Sequence, residues 1–129
     1  MYLDTDVILS QIKEKDWLKD IVKRKLESIN EEFVTSAITI VECQIVLIRE
    51  FGRDEAVKVP ERIEELGVKI LPLSKEVLEI SSNLLKRYSK LNIFDSIHLA
   101  HVIHEKERIL STDRLFDEVE GIVRIDPLK

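Results

Sequence analysis

Four acidic residues stand out by their surroundings. Asp4 directly follows a short apolar run at the start of the chain, in Tyr2-Leu3-Asp4-Thr5-Asp6-Val7. Asp113 directly follows another, in Ile109-Leu110-Ser111-Thr112-Asp113. Glu42 is the only charged residue between Phe33 and Ile48, and Asp95 is the only Asp, Glu, Lys or Arg between Leu91 and His104. A lone carboxylate in an apolar segment is costly to bury unless something compensates it. Each acid also has a purely local explanation. Asp4 and Asp113 fit caps of helices that follow their strands, Thr39-Ile40-Val41-Glu42 matches a capping box, and Asn92-Ile93-Phe94-Asp95 matches one more loosely. Gathered around one crevice they mean something else, because two carboxylates ~5 Å apart at an effective dielectric of 20 repel by about 3 kcal/mol. Oxygen-only ligands of high charge density suit Mg²⁺ or Mn²⁺, which keep several waters and also bind phosphate oxygens. Such an ion activates water and neutralises charge during in-line displacement at a phosphodiester. The chemistry this quartet points to is metal-dependent phosphoryl transfer.

The elements that must position these acids follow from the apolar pattern. Strand-length runs recur at Met1 to Leu3, Glu32 to Thr35, Val68 to Leu71, Arg108 to Ser111 and Ile122 to Ile125. Between them lie segments of helical periodicity. Asp16 to Ile29, Asp54 to Leu66 and Ser74 to Leu91 are amphipathic, whereas Ile38 to Phe51 and Phe94 to Glu107 are apolar nearly all round and read as buried helices. Ser74 is a helix-start signal and Gly67 a helix C-cap before the third strand. Strands alternating with helices predict one α/β domain over residues 1–129, with a mainly parallel five-stranded sheet in a three-layer α/β/α arrangement. Ligands of such sheets gather at the carboxyl ends of the strands where strand order reverses. Asp4 and Asp113 lie at two such ends.

Composition narrows the function. The 129 residues are 44% hydrophobic and 35% charged, enough for a core and too apolar for disorder. A net charge of −5 argues against a generally basic nucleic-acid binder while leaving room for a local basic patch. The densest basic run is Lys19, Lys23, Arg24 and Lys25, with Arg49, Arg53, Lys86, Arg87 and Lys90 as further candidates; most of these read as solvated helix faces. The single cysteine, Cys43, excludes a disulfide framework and a Cys-rich zinc site, and reads as a small core residue. No apolar run reaches the ~20 residues of a membrane span and no signal peptide is evident, so the chain reads as a soluble cytoplasmic domain. Three glycines and three prolines are too few for an all-β protein of many tight turns. His98, His101 and His104 are spaced so that they fan around a helix instead of converging on a metal. They read as packing or polar contacts, and His98, one turn from Asp95, is within reach of the acidic pocket. Trp17 reads as a packing residue, or, if exposed beside the lysines, as one that could stack on a base.

These motifs together resemble the PIN-domain family, most closely its VapC-type toxin ribonucleases of VapBC toxin–antitoxin systems. The resemblance rests on the strand ending in Asp4-Thr5, on Ser36-Ala37-Ile38-Thr39-Ile40-Val41-Glu42, on Phe94-Asp95-Ser96-Ile97-His98-Leu99-Ala100, and on Ser111-Thr112-Asp113-Arg114-Leu115-Phe116. It implies that Asp4, Glu42, Asp95 and Asp113 form the family's catalytic acidic quartet. Asp4 and Asp95 would be direct metal ligands, with Glu42 and Asp113 holding metal-bound waters or completing the coordination. Ser111 would hydrogen-bond one of the metal-binding carboxylates. Asp117 would be an auxiliary acid, and Asp6 departs from the more frequent Asn or Ser, either tightening metal binding or pointing to solvent. Taken by themselves, Asp6 and Asp117 fit solvated first-turn acids favoured by the helix dipole. The resemblance further implies Mg²⁺- or Mn²⁺-dependent cleavage of RNA to a 3′-hydroxyl and a 5′-phosphate, a homodimer, and inhibition by a small VapB-like antitoxin.

Two alternatives stay open at the level of sequence. A haloacid-dehalogenase-like phosphatase would use Asp4-Thr5-Asp6 as nucleophile and acid, with Asp113 and Asp117 as a metal pair, but it leaves Glu42 and Asp95 unexplained. A non-catalytic PIN-like module would bind RNA or protein without cutting.

Overall fold

The computed structural model describes residues 1–129. The chain runs β1 (Tyr2–Leu3), α1 (Thr5–Ile12), α2 (Lys19–Ser28), β2 (Val34–Ser36), α3 (Ala37–Phe51), α4 (Arg53–Ala56), α5 (Val59–Glu65), β3 (Lys69–Leu71), α6 (Lys75–Arg87), α7 (Ile93–Glu105), β4 (Ile109–Leu110), a 3₁₀ turn (Arg114–Glu118) and β5 (Arg124–Ile125). All five strands pair in parallel, in the order β3-β2-β1-β4-β5. The chain therefore starts at the centre, builds outward to β3, and returns to lay β4 on the other side of β1. That return puts the switch point between β1 and β4, directly below Asp4 and Asp113.

Alternation along the strands divides the core in two. Leu3 and its neighbour Leu110 face one side, where they pack with Val7, Ile8, Val22, Cys43, Leu47, Val59 and Ile63 from α1, α2, α3 and α5. Tyr2 and Ile109 face the other, with Val34, Leu71, Val77, Leu84, Leu99, Val102 and Phe116. The three-layer arrangement follows from these two clusters. No helix is long and apolar enough to cross a membrane.

Several elements differ from the sequence expectation. The segment 54–66 is two short helices, not one, because Pro60 lacks an N–H and sits in the first turn of a new helix, α5. α3 is only half buried: Thr39, Cys43 and Leu47 are enclosed, while Val41, Ile45, Ile48 and Phe51 form an exposed apolar stripe at steps of four and three residues. Trp17 does not pack into the core either; it is 76% exposed. By contrast, α7 is buried without a break from Ser96 to Val102, and Cys43 is a core residue.

Candidate acidic active site

The fold brings the four acids to one end of the sheet. Asp4 ends β1, its backbone N–H held by the Leu110 carbonyl of β4. It also caps α1, so the strand-to-helix turn fixes its side chain: Oδ1 accepts from the Thr5 N–H at 2.8 Å and Oδ2 from the Ser111 hydroxyl at 2.6 Å. Ser111, expected to steady a ligating carboxylate, does so for Asp4, and its Oγ also accepts from the Asp113 N–H at 3.0 Å. Asp113 caps the 3₁₀ turn through Oδ1, which accepts from the Leu115 N–H at 3.0 Å. Asp95 completes a true capping box with Asn92 at the start of α7.

Glu42 is not a capping-box residue. α3 starts three residues earlier than that motif requires, with Ser36 as its cap position, and the Thr39 hydroxyl lies inside the helix, bonded to Thr35 at 2.8 Å. Glu42 therefore sits in the second turn, where its Oε1 accepts from the Thr5 hydroxyl at 2.9 Å and meets Nε2 of His98. Sequence reasoning placed His98 within reach of the pocket but assigned it no role, and it passed over Thr5, Tyr2, Ser36 and Thr112. For Thr5 the available signal was its place directly after Asp4.

The electrostatics are those of acids crowded together. No lysine or arginine forms an ion pair with Asp4, Glu42, Asp95 or Asp113; His98 is hydrogen-bonded to Glu42 and 3.8 Å from Asp4. Burial, reinforced by Asp6 and opposed by His98, pushes Asp4 up to about 6. Burial, with Asp113 and Glu42 nearby, also raises Asp95. His98 is raised although burial disfavours its charge, because the hydrogen bond to Glu42 and the charges of Asp4, Glu42 and Asp95 outweigh it.

The donor set fits a hard cation. Glu42 and Asp113 each have one oxygen engaged by a protein donor and one without such a partner, as does Asp95. The groups are all oxygen donors, the kind Mg²⁺ and Mn²⁺ prefer. No three His, Cys, Asp or Glu side chains stand close enough together to hold a metal ion as they are placed, so the fit lies in the chemistry of the donors. His104 lies exposed on the surface, apart from the buried His98 and His101.

Asp6 departs from the solvated reading, whereas Asp117 is the exposed first-turn acid that reading expects. Asp6 is half-buried and accepts from the Thr112 N–H at 3.1 Å and from the Thr112 hydroxyl, tying α1 to the turn after β4. Asp117 is turned outward into a two-pronged pair with Arg124, both contacts at 2.9 Å, which holds its carboxyl below the usual range. The phosphatase alternative thereby loses the Asp113–Asp117 metal pair it requires.

The PIN domain family profile matches residues 1–122, and the chain belongs to that family. No curated protein matches the sequence. Among solved structures, the chain is similar to VapBC-1 from nontypeable Haemophilus influenzae, at 18% identity and a TM-score of 0.76 over 99% of this chain and 98% of that one. It is also similar to FitAcB from Neisseria gonorrhoeae, at 20% identity and a TM-score of 0.74 over 98% and 96%. A third is VapC20 from Mycobacterium tuberculosis, a sarcin-ricin-loop-cleaving toxin, at 17% identity and a TM-score of 0.73 over 86% of each chain.

Proposed function

We propose that this protein is a Mg²⁺- or Mn²⁺-dependent endoribonuclease and the toxin of a VapBC-type toxin–antitoxin pair, acting in the cytoplasm. The observation that carries the reading is the convergence of Asp4, Glu42, Asp95 and Asp113, from four separate elements, on the β1–β4 switch point with no lysine or arginine ion-paired to them. Asp4 and Asp95 would hold the ion directly, with Glu42 and Asp113 completing its shell. When bound, the ion supplies charge neutralisation at the phosphodiester and activation of water. The protein's own contribution is positional. Ser111 and the Thr5 N–H fix the Asp4 carboxylate, the capping box fixes Asp95, and the 3₁₀ turn fixes Asp113.

The exposed stripe of Val41, Ile45, Ile48 and Phe51 supports the partner side of the proposal. A contiguous apolar helix face on a water-soluble surface is the ordinary mark of a protein interface. A second copy of the chain and a VapB-like antitoxin would cover this face and its surroundings.

The test is RNA cleavage by purified protein with Mn²⁺. Wild type should cut, EDTA should stop it, and Asp4→Asn and Asp95→Asn should each lose more than the ~10–100-fold that a supporting residue costs. Folded Asp95→Asn protein that cuts as well as wild type contradicts the proposal. A wild type that binds RNA without cutting it favours the non-catalytic module.

A further inference from the structure

A buried chain of polar side chains runs behind the acidic site. The Ser36 and Tyr2 hydroxyls are 2.7 Å apart, and the Tyr2 hydroxyl lies 2.6 Å from Nδ1 of His98. On the other edge of the ring, Nε2 meets Oε1 of Glu42 and lies 3.1 Å from the Thr5 hydroxyl. Ser36, Tyr2 and His98 are all enclosed, with His98 only 2% exposed. Each link stands beside an acid in sequence. Tyr2 is two residues before Asp4, Ser36 opens the helix that carries Glu42, and His98 is one turn beyond Asp95.

The direction of the hydrogen bonds follows from donor and acceptor chemistry. A carboxylate only accepts, so the imidazole must present Nε2–H to Glu42. In neutral imidazole Nδ1 accepts from the Tyr2 hydroxyl; in the imidazolium that the surrounding acids favour, Nδ1–H donates to the Tyr2 oxygen, whose own proton then goes to Ser36. In both forms Nε2–H faces Glu42 and the ring is gripped from both edges. Glu42 is correspondingly held by its Oε1 alone, against His98 and Thr5, which leaves Oε2 without a protein donor. A fully satisfied buried network of this kind rigidifies what it touches.

We propose that His98, oriented by Tyr2 and Ser36, is a positioning residue that fixes the Glu42 carboxylate for cation binding. The inference rests on the metal-dependent reading of the site and deepens it, because it assigns to Glu42 a single oxygen free of protein donors and names what aims it.

The experiment measures Mn²⁺ affinity by electron paramagnetic resonance of the free ion, alongside unfolding temperature in EDTA. The proteins are wild type, His98→Leu, His98→Gln and Tyr2→Phe. Gln can return an N–H donor toward Glu42, and Phe removes only the Tyr2 hydroxyl. His98→Leu should weaken Mn²⁺ binding by about tenfold or more, with His98→Gln recovering most of the loss and Tyr2→Phe falling between them. ¹⁵N spectra of the imidazole should show a hydrogen-bonded Nε2–H in both wild type and Tyr2→Phe, with only the Nδ1 signal shifted in the variant. Should His98→Leu fail to fold, the Gln and Phe variants decide the matter by the same ranking. Folded His98 variants that bind Mn²⁺ like wild type overturn the proposal, as does a Gln variant no better than Leu, which would reduce His98 to a space-filler. A wild type that binds no Mn²⁺ at all removes the metal-dependent reading itself, and the inference with it.

Discussion

Acidic residues in two regions of this molecule live in opposite electrostatic settings. On the rim, Asp117 grips Arg124, Glu118 meets Lys90, Glu120 meets Arg87, and Glu55 meets both Lys58 and Arg62. Asp117 and Glu55 are held below their ordinary values by those partners. In the pocket, Asp4 and Asp95 are pushed up by burial and by one another's neighbours, with only His98 to answer them. An exposed pair contributes little to stability and is screened by salt. A buried acid without a basic partner costs stability at neutral pH, and the proposed cation would relieve that cost.

The largest expected effect comes from removing an unmatched charge. Asp4 has a folded-state value of about 6 against an ordinary 3.8, so its contribution is fully present below the lower value and is lost as pH rises through the upper one. Asp4→Asn in EDTA should therefore match wild type near pH 4 and exceed it by up to about 3 kcal/mol at pH 7, as measured by denaturant unfolding. In Mn²⁺ the order should reverse, because only wild type gains from the ion. A variant less stable than wild type at pH 7 in EDTA would erase the contrast between pocket and rim.

At neutral pH a smaller effect separates burial from crowding. His101 is 1% exposed and stacks on Tyr2, and its Nε2 has no hydrogen-bond partner. Burial, helped by His98, pushes it down to about 4. Because the unfolded chain takes up this proton below about pH 6.5 and the folded chain does not, stability falls as the pH is lowered from 6.5 to 4. His101→Phe keeps the stack and removes the unpartnered nitrogen. It should gain about 1 kcal/mol at pH 7, and the gain should widen by about 1.4 kcal/mol per pH unit below 6.5. A pH-independent difference would place the cost in packing instead. The smallest effect belongs to the rim: Asp117→Asn should lower the unfolding temperature only slightly, and high salt should abolish the difference.

Much of this arrangement was legible before any coordinates. Two apolar strands each ending in an acid, with two more acids isolated on apolar helices, were enough to place the site at the carboxyl ends of a parallel sheet. What could not be read depended on geometry that local patterns do not carry. Asp113 and Asp117 would share a face of an α-helix, but in a 3₁₀ turn four residues bring the second side chain about 120° round from the first, and Arg124 claims it. The helix read at Ile38 to Phe51 starts within a residue of that place, but the Thr39–Glu42 capping box fails, because Ser36, paired with Leu71 across the sheet, holds the cap position. Periodicity also cannot distinguish a helix face covered by the chain's own core from one left open, so α3 read as buried all round. Its outer stripe is open, with Phe51 58% exposed. The polar chain through Tyr2 and His98 crosses five elements and leaves no local signature.

The central claim is that the four acids form a cation site. Thermal unfolding of the purified protein in EDTA and again with Mn²⁺, for wild type and Asp95→Asn, tests it most directly. At an ion concentration 100-fold above the dissociation constant, binding should add about 2.7 kcal/mol to wild type, and most of that gain should vanish in Asp95→Asn. An unfolding temperature in wild type that does not move at millimolar Mn²⁺, or that moves equally in the variant, would contradict the account and leave the acids as helix caps.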